Sequence, residues 1–330
     1  MVNKKIIAVT MGDPSGISTE LIIKCWKKNK SKYSFFIIHD PDFVSNIIKK
    51  MKVNINIKII SSPNEAKKYY KNYLPVYPIY IAKKTYLGTP NNENSKKILE
   101  SIDIAVKFAK ENKVAGIVTN PISKKIISKI RKNFTGHTEY LAKLDNKKQF
   151  AMMLFNKSLK VVPVTTHVAL KNVSKMITPL LIANSIKVLE KSLKNDFKIK
   201  KPKIAVTGLN PHSGDGGLLG HEENKIIIPA IIKAKKNGLN IEGPLAADSV
   251  FRKSNLKIYD AFLCMYHDQA LIAVKTIDFE KTVNYTVGLS FIRTSPDHGT
   301  GFDIAKKFIA DETSLVTAIN YAGDIANNKF

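Results

Sequence analysis

Three separate apolar runs in the chain each lead into a histidine: LKVVPVTTH at His167, KIAVTGLNPH at His212 and DAFLCMYH at His267. Each run is short and rich in β-branched or aromatic residues, the composition of a buried strand in a parallel sheet. In open α/β sheets, ligands bind in the crevice beyond the carboxyl ends of the strands. Three imidazoles delivered there from separate strands suggest one convergent site, most simply a divalent metal with an open coordination position.

The residues around these histidines sharpen the expectation. LNPHSGDGGLLGHEE holds His212 at the start of an irregular loop, with glycines at 214, 216, 217 and 220 that permit positive φ and close approach of a ligand to the backbone. His221, at the start of the helix that follows, reads as a cap or surface residue. MYHDQALIAVK sets Asp268 beside His267, where a carboxylate can orient a metal-bound imidazole or accept a proton. GHTEYLA opens a helix, so His137 and Thr138 could face an anion at its positive end, or Thr138 could simply cap it. GDPSG, between a strand and a helix, is either a backbone N–H cradle for an anion or a plain turn with Asp13 capping. It is not the GxGxxG dinucleotide fingerprint. His39, at another strand end, lacks a glycine-rich or acidic partner and is set aside, while His298 in DHGTGFDIA could line a cleft.

Composition narrows the function classes. The formal net charge is +26, yet the only arginines are Arg131, Arg252 and Arg293. The lysines are scattered, and no helix-turn-helix, zinc-finger or RNA-binding motif appears, so specific nucleic-acid recognition is excluded and weak polyanion adhesion is a side effect. Against that lysine background a retained arginine marks a need for the planar fork. Arg293, in LSFIRTSPDHGTGFDIA, is thereby a ligand candidate. Lys275 and Asn284 are anonymous on their own. No stretch approaches the roughly 20 apolar residues that span a bilayer. MVNKKIIAVTMGDPSG runs into a strand without a signal-peptide core, so a cytoplasmic location is expected. Cys25 and Cys264 lie far apart in apolar contexts and read as inert.

Holding these residues in place requires a regular framework, and the chain supplies one. KKIIAVT, YSFFIIHD, INIKIIS and KVAGIVTN read as strands. TELIIKCWKK, SKKILESIDIAVKFAKEN, PLLIANSIKVLEKSLKN and EENKIIIPAIIKAKKNG read as amphipathic helices. This alternation predicts an α/β fold with mostly parallel sheets. A chain of 330 residues exceeds one typical core, so two α/β/α lobes or one elaborated α/β unit is expected. The crossings are placed near 124–135 and 296–300, giving a first lobe of 1–128 with 299–330 and a second of 129–298 that carries the metal and substrate residues.

Together, GDPSGIS, TNPISK, GHTEYLA, TTH at 165–167, LNPHSGDGG, GPLAADSVF, YHDQALIAVK and RTSPDHGTGFDIA resemble, in order, the 4-hydroxythreonine-4-phosphate dehydrogenase family. The resemblance covers about residues 5 to 325. It implies an isocitrate/isopropylmalate dehydrogenase-like architecture with an active-site cleft between two lobes, in a homodimer whose active sites lie at the subunit interface. It implies one divalent ion per site (Zn, Mg or Co) held by His167, His212 and the partner subunit's His267. Substrate would be bound by His137, Thr138, Lys275, Asn284 and Arg293. Asp248 and Asp268 become candidates for orienting imidazoles or relaying a proton. The reaction implied is NAD- or NADP-dependent oxidation of 4-phosphooxy-L-threonine at C3 to 2-amino-3-oxo-4-phosphooxybutanoate. That β-keto acid decarboxylates to 3-amino-2-oxopropyl phosphate in pyridoxine 5'-phosphate biosynthesis. Ligand histidines must be neutral, so activity is expected to fall below about pH 6.5. Three rivals stay open: a sister dehydrogenase acting on 4-phospho-D-threonate or D-erythronate, a metal-dependent hydrolase, and a non-enzymatic polyanion binder.

Overall fold

The computed structural model describes residues 6–28, 31–132 and 134–329. In chain order the strands are β1 (Ile7–Thr10), β2 (Phe35–His39), β3 (Ile57–Ile59), β4 (Leu74–Pro78), β5 (Gly116–Val118), β6 (Ala151–Phe155), β7 (Lys160–Pro163), β8 (Lys203–Thr207), β9 (Asn240–Leu245), β10 (Ala261–Cys264), β11 (Val283–Val287) and β12 (Arg293–Pro296). The chain divides into two compact units, one of Met1–Asn146 with Leu289–Asn328 and the other of Lys147–Gly288.

In the first unit the strand order is β3-β4-β2-β1-β5-β12, parallel throughout. Every residue of β1, β2, β5 and β12 is buried, which explains why β1, β2 and β5 read as mainly apolar runs rather than alternating ones. β1 begins at Ile7; Lys4 and Lys5 of the KKIIAVT run lie outside the described residues.

In the second unit the order is β11-β6-β7-β10-β8-β9. β7, β10, β8 and β9 run parallel, whereas β6 pairs antiparallel with both β7 and β11. The fold is therefore α/β with a mostly parallel arrangement, and the antiparallel pairs are its departure from pure βα alternation. Helix Pro179–Asn195 forms over the span expected. Thr178 accepts from the Leu181 N–H, Pro179 sits where no N–H is needed, and Ile182, Ile186, Leu189 and Leu193 make the buried stripe. EENKIIIPAIIKAKKNG is not one uniform helix. A π-turn over Glu223–Ile227 precedes an α-helix at Ile228–Lys236, where Pro229 removes a donor from the α-helical ladder.

The compact units divide at 146/147 and 288/289, where the sequence reading drew its crossings near 128 and 298. Two ties explain the placement. The hydroxyl of Tyr140 donates to Asp103 at 2.5 Å, holding helix His137–Leu144 to helix Ser95–Lys110. Asp145 accepts from the Ser290 N–H at 2.6 Å and the Ser290 hydroxyl at 2.5 Å, joining the end of that helix to the approach to β12. His137, Thr138 and Arg293 consequently belong to the first unit, and His167, His212, His267, Lys275 and Asn284 to the second. Among the described residues no helix is long and apolar enough to cross a membrane.

Candidate active-site residues

The three histidines lie past strand ends, not within the strands. His167 follows β7, His212 follows β8, and His267 is the first residue of helix His267–Ile277 after β10. β10 pairs with both β7 and β8, so the three carboxyl ends are neighbours. Beneath them Leu154, Val161, Ala205, Phe262, Cys264, Ala270 and Val274 pack into one apolar cluster.

The rings of His167 and His267 approach to 5.8 Å between centroids, tilted by 42°. The two side chains are therefore neighbours at the strand ends. His267 Nδ1 lies 2.7 Å from Asp268 Oδ1. That contact orients the ring and leaves Nε2 as the nitrogen for a ligand, a familiar carboxylate–imidazole arrangement at metal sites. Within one chain, among the described residues, no group of three His, Cys, Asp or Glu side chains is arranged to hold an ion.

His167 has φ of +50°, and the five residues His212–Gly216 form a left-handed turn with φ of 50, 54, 82, 42 and 68°. For non-glycine residues this conformation costs about 1–2 kcal/mol each and persists only when its surroundings over-determine it. The buttress is Glu223, 2% exposed. Its Oε1 accepts from the backbone N–H groups of Leu209 and Asn210, both at 2.8 Å, and its Oε2 accepts from Asn210 Nδ2 at 2.9 Å. A Cβ on Gly214 would stand 2.6 Å from Glu223 Oε2, so only glycine fits there. Burial works to raise the Glu223 pKa, but the donors of Asn210 and Leu209 outweigh it and the net shift is downward.

Glu223→Ala is therefore expected to cost about 2–4 kcal/mol, because two backbone donors lose their buried acceptor. Urea unfolding of the variant measures this. Since the folded-state pKa is depressed, the contribution is full above the unfolded value of 4.5 and fades as pH falls through the lowered one. A stability loss that stays constant through that acid window contradicts the assignment.

Gln269 is a second buttress. Its Oε1 accepts from Thr207 Oγ1 and the Met265 N–H, each at 2.7 Å, and its Nε2 donates to the Gly208 carbonyl at 2.8 Å. It thereby locks the turn carrying His267 to the strand end that precedes His212. Neither residue stood out in the sequence, although Gln269 completes the HDQ triplet and Glu223 the HEE that closes the glycine-rich loop.

Asp248 and Asp268 both line a cavity of about 430 Å³ with Phe251, Tyr266, Gln269 and Ile272. The two candidate aspartates thus share one largely apolar recess beside His267. Lys275, on the same helix, has its Nζ 5.2 Å from the centre of the Phe279 ring, and Asn284 lies on β11 opposite Leu154.

In the first unit, Arg293 is 2% exposed. Its Nε and Nη2 donate to Thr119 Oγ1 at 2.9 and 2.7 Å, and the β5–β12 register sets it opposite Ile117. Burial lowers its pKa to about 9, with Glu139 pulling the other way, so it is charged at neutral pH. Burial, then the charges of Arg293 and Lys124, drive the pKa of His137 well below its ordinary value. The imidazole is neutral, and its buried Nε2 has no hydrogen-bond partner. Lys124 Nζ lies 3.3 Å from where a Cβ on Gly136 would be. Arg293, Lys124 and His137 together suit an anionic group such as phosphate or carboxylate. Lys124 was not singled out in the sequence; its only signal is TNPISK. Thr138 is the second helical residue and not the cap, which falls on Gly136.

Two smaller expectations are settled by burial and hydrogen bonding. His39 is fully buried with Nε2 3.0 Å from Thr19 Oγ1, and burial lowers its pKa to about 4, so it is a core residue. Cys25 and Cys264 are buried, and burial raises the Cys264 thiol, which keeps it from being a nucleophile. At GDPSG, Ser15 N–H donates to Asp13 Oδ1, Gly16 N–H to the Asp13 carbonyl and Ile17 N–H to Thr300. Those donors are spent internally, which removes the anion-cradle reading. The Asp13 side chain makes an Asx-type turn and does not cap the helix.

The family described as pyridoxal phosphate biosynthetic protein PdxA matches residues 31–322. The chain is 40% identical over 317 residues to a 4-hydroxythreonine-4-phosphate dehydrogenase of Sulfurihydrogenibium sp., covering 96% of this chain and 97% of that protein. A 4-hydroxythreonine-4-phosphate dehydrogenase of Ruegeria sp. is 38% identical over 326 residues, with 98% of each covered. Among solved structures, the 4-hydroxythreonine-4-phosphate dehydrogenase of Klebsiella pneumoniae superposes with a TM-score of 0.89 at 34% identity, covering 98% of each chain.

Proposed function

Because the chain belongs to the PdxA family of pyridoxal phosphate biosynthetic proteins, we propose that it oxidises 4-phosphooxy-L-threonine at C3. The observation that carries this reading is full-length kinship to 4-hydroxythreonine-4-phosphate dehydrogenases at 40% identity. The C3 hydroxyl loses its proton and the C3 hydrogen leaves as hydride, giving 2-amino-3-oxo-4-phosphooxybutanoate. That β-keto acid then loses CO₂ to leave 3-amino-2-oxopropyl phosphate. NAD or NADP supplies the hydride acceptor.

Arg293 and Lys124 provide fixed positive charge for the substrate's anionic groups, and His137 provides a neutral ring with an open nitrogen beside them. Lys275 and Asn284 are the second unit's substrate residues. His167, His212 and His267 would hold a divalent ion (Zn, Mg or Co), which when bound supplies Lewis acidity toward the substrate hydroxyl. Asp268 holds the His267 ring by its Nδ1, and Asp248, which lines the same recess as Asp268, would take up a proton. In this reading the enzyme is a homodimer and the partner subunit's His267 completes each metal site, as the family resemblance implies.

Nicotinamide absorbance with 4-phosphooxy-L-threonine, compared with the D-threonate and D-erythronate 4-phosphates, tests the proposal. The expected result is reduced cofactor formed fastest with 4-phosphooxy-L-threonine, with CO₂ released. Preferred turnover of a D-acid would move the chain to the sister activity, and no cofactor reduction with any of the three would overturn the dehydrogenase reading. Mixing two inactive variants, His167→Ala and His267→Ala, should recover part of the activity through hybrid dimers.

A further inference from the structure

The lysines are scattered along the sequence, but two of them converge in the fold. Lys50, the last residue of helix Pro41–Lys50, and Lys306 line one cavity of about 320 Å³ in the first unit, with Tyr86, Leu87, Thr89 and Phe308. That volume sits at the lower end of small-molecule pockets, about 300–1,000 Å³. No carboxylate is among the lining residues. Among the described residues neither ammonium has an ion-pair or hydrogen-bond partner.

Both segments that carry these residues are held from behind. Tyr86 to Thr89 form a tight turn in which Thr89 N–H donates to the Tyr86 carbonyl at 3.3 Å and Gly88 has φ of +74°. Ser15 fixes that turn, its carbonyl accepting from Gly88 N–H at 2.7 Å and its Oγ donating to the Thr89 carbonyl at 3.3 Å. A Cβ on Gly88 would stand 3.0 Å from the Phe302 carbonyl oxygen and 3.5 Å from Lys306 Cε, so glycine leaves room for the lysine stem beside the turn. Phe308 has φ of +54°, an outlier for a bulky side chain. The Glu20–Lys24 ion pair imposes it. Lys24 Nζ, 2.6 Å from Glu20 Oε1, donates to the carbonyls of Phe308 at 3.0 Å and Ala310 at 2.7 Å, and Ala310 N–H donates to the same carboxylate oxygen at 2.9 Å. Strain of this kind persists only where the surroundings over-determine it, and it gathers at ligand clamps.

Tyr86 is 61% exposed and packs on no other ring among the described residues. A tyrosine held out on a fixed turn offers a stacking face at low entropic cost. Two uncompensated ammoniums beside it offer charge-assisted donors to a phosphate. We infer that this cavity binds a phosphate monoester carried on a flat ring, of the class of a nucleoside monophosphate. The inference goes beyond the dehydrogenase reading and does not rest on it, because binding needs no turnover. Such a ligand is either a free compound or the 2′-phosphoadenosine end of NADP, and the chemistry that recognises it is the same.

Calorimetric titration of the full-length protein with adenosine 2′- and 5′-monophosphates tests this, with adenosine and inorganic phosphate alongside. A nucleotide should bind at one site per chain, and adenosine and phosphate at least about tenfold more weakly. The double variant Lys50→Gln/Lys306→Gln should weaken nucleotide binding about 10- to 100-fold, and Tyr86→Ala about tenfold. Lys49→Gln/Lys307→Gln removes the adjacent lysines, which do not line the cavity, and should change binding less than about twofold. All five side chains are exposed, so the variants keep the fold. Equal losses in the two double variants would mean diffuse attraction to a strongly basic protein and would overturn the inference. No nucleotide binding, or phosphate bound as tightly as the nucleotide, would overturn it too. NADP that displaces the nucleotide assigns the cavity to the cofactor, and a nucleotide still bound under saturating NADP assigns it to a free ligand; either result upholds the site.

Discussion

Replacing His267 by alanine is expected to lower kcat/KM by about a thousandfold and, if a divalent ion is held as proposed, to abolish its binding. Losing an ion that stabilises developing charge forfeits several kcal/mol, and about 4 kcal/mol corresponds to three decades of rate. His267 opens its helix with Nδ1 engaged by Asp268 and its ring 5.8 Å from that of His167. Alanine removes the nitrogen without disturbing Gln269, the residue that anchors this turn. The melting temperature measured without metal should therefore stay close to that of the parent protein. Elemental analysis of purified protein alongside steady-state kinetics provides the check. A variant that keeps stoichiometric metal and activity within tenfold of the parent would remove His267 from the ligand set.

Arg293→Lys should lower kcat/KM for the phosphorylated substrate by about 100- to 1000-fold, mainly through KM. The charge is retained, so a purely electrostatic role predicts little change. Geometry argues otherwise. Nε and Nη2 share Thr119 Oγ1, an arrangement the single ammonium nitrogen of lysine cannot reproduce while also reaching a ligand. The residue is 2% exposed, and a misplaced buried cation costs about 2–5 kcal/mol. Kinetics with saturating cofactor, read beside thermal unfolding, separates binding from stability. A KM changed less than threefold would reduce Arg293 to a structural link between β5 and β12.

Several site residues were legible before the fold because their signals are local. A histidine directly past a β-branched run, or glycines crowded behind one, needs no knowledge of distant contacts. Arg293 stood out because the chain uses lysine almost everywhere else. Glu223, Gln269 and Lys124 were not legible: each is an ordinary residue type on an ordinary helix or turn. Glu223 matters because a loop a dozen residues earlier folds onto it.

The sequence by itself determined the alternation of strands and helices, the loops on which the three histidines sit, and kinship to the PdxA family, because hydrophobic periodicity and motif order are properties of neighbouring residues. Tertiary structure decided which of those residues meet. It brought the rings of His167 and His267 side by side, drew His137 and Arg293 into the first unit through Tyr140 and Asp145, and forced His212 into a left-handed turn that Glu223 sustains. It also turned GDPSG from a possible anion cradle into a closed turn, because donors of that loop are spent on Asp13 and on Thr300, far along the chain. Such outcomes depend on which buried polar groups find partners, a condition satisfied only once distant segments have packed.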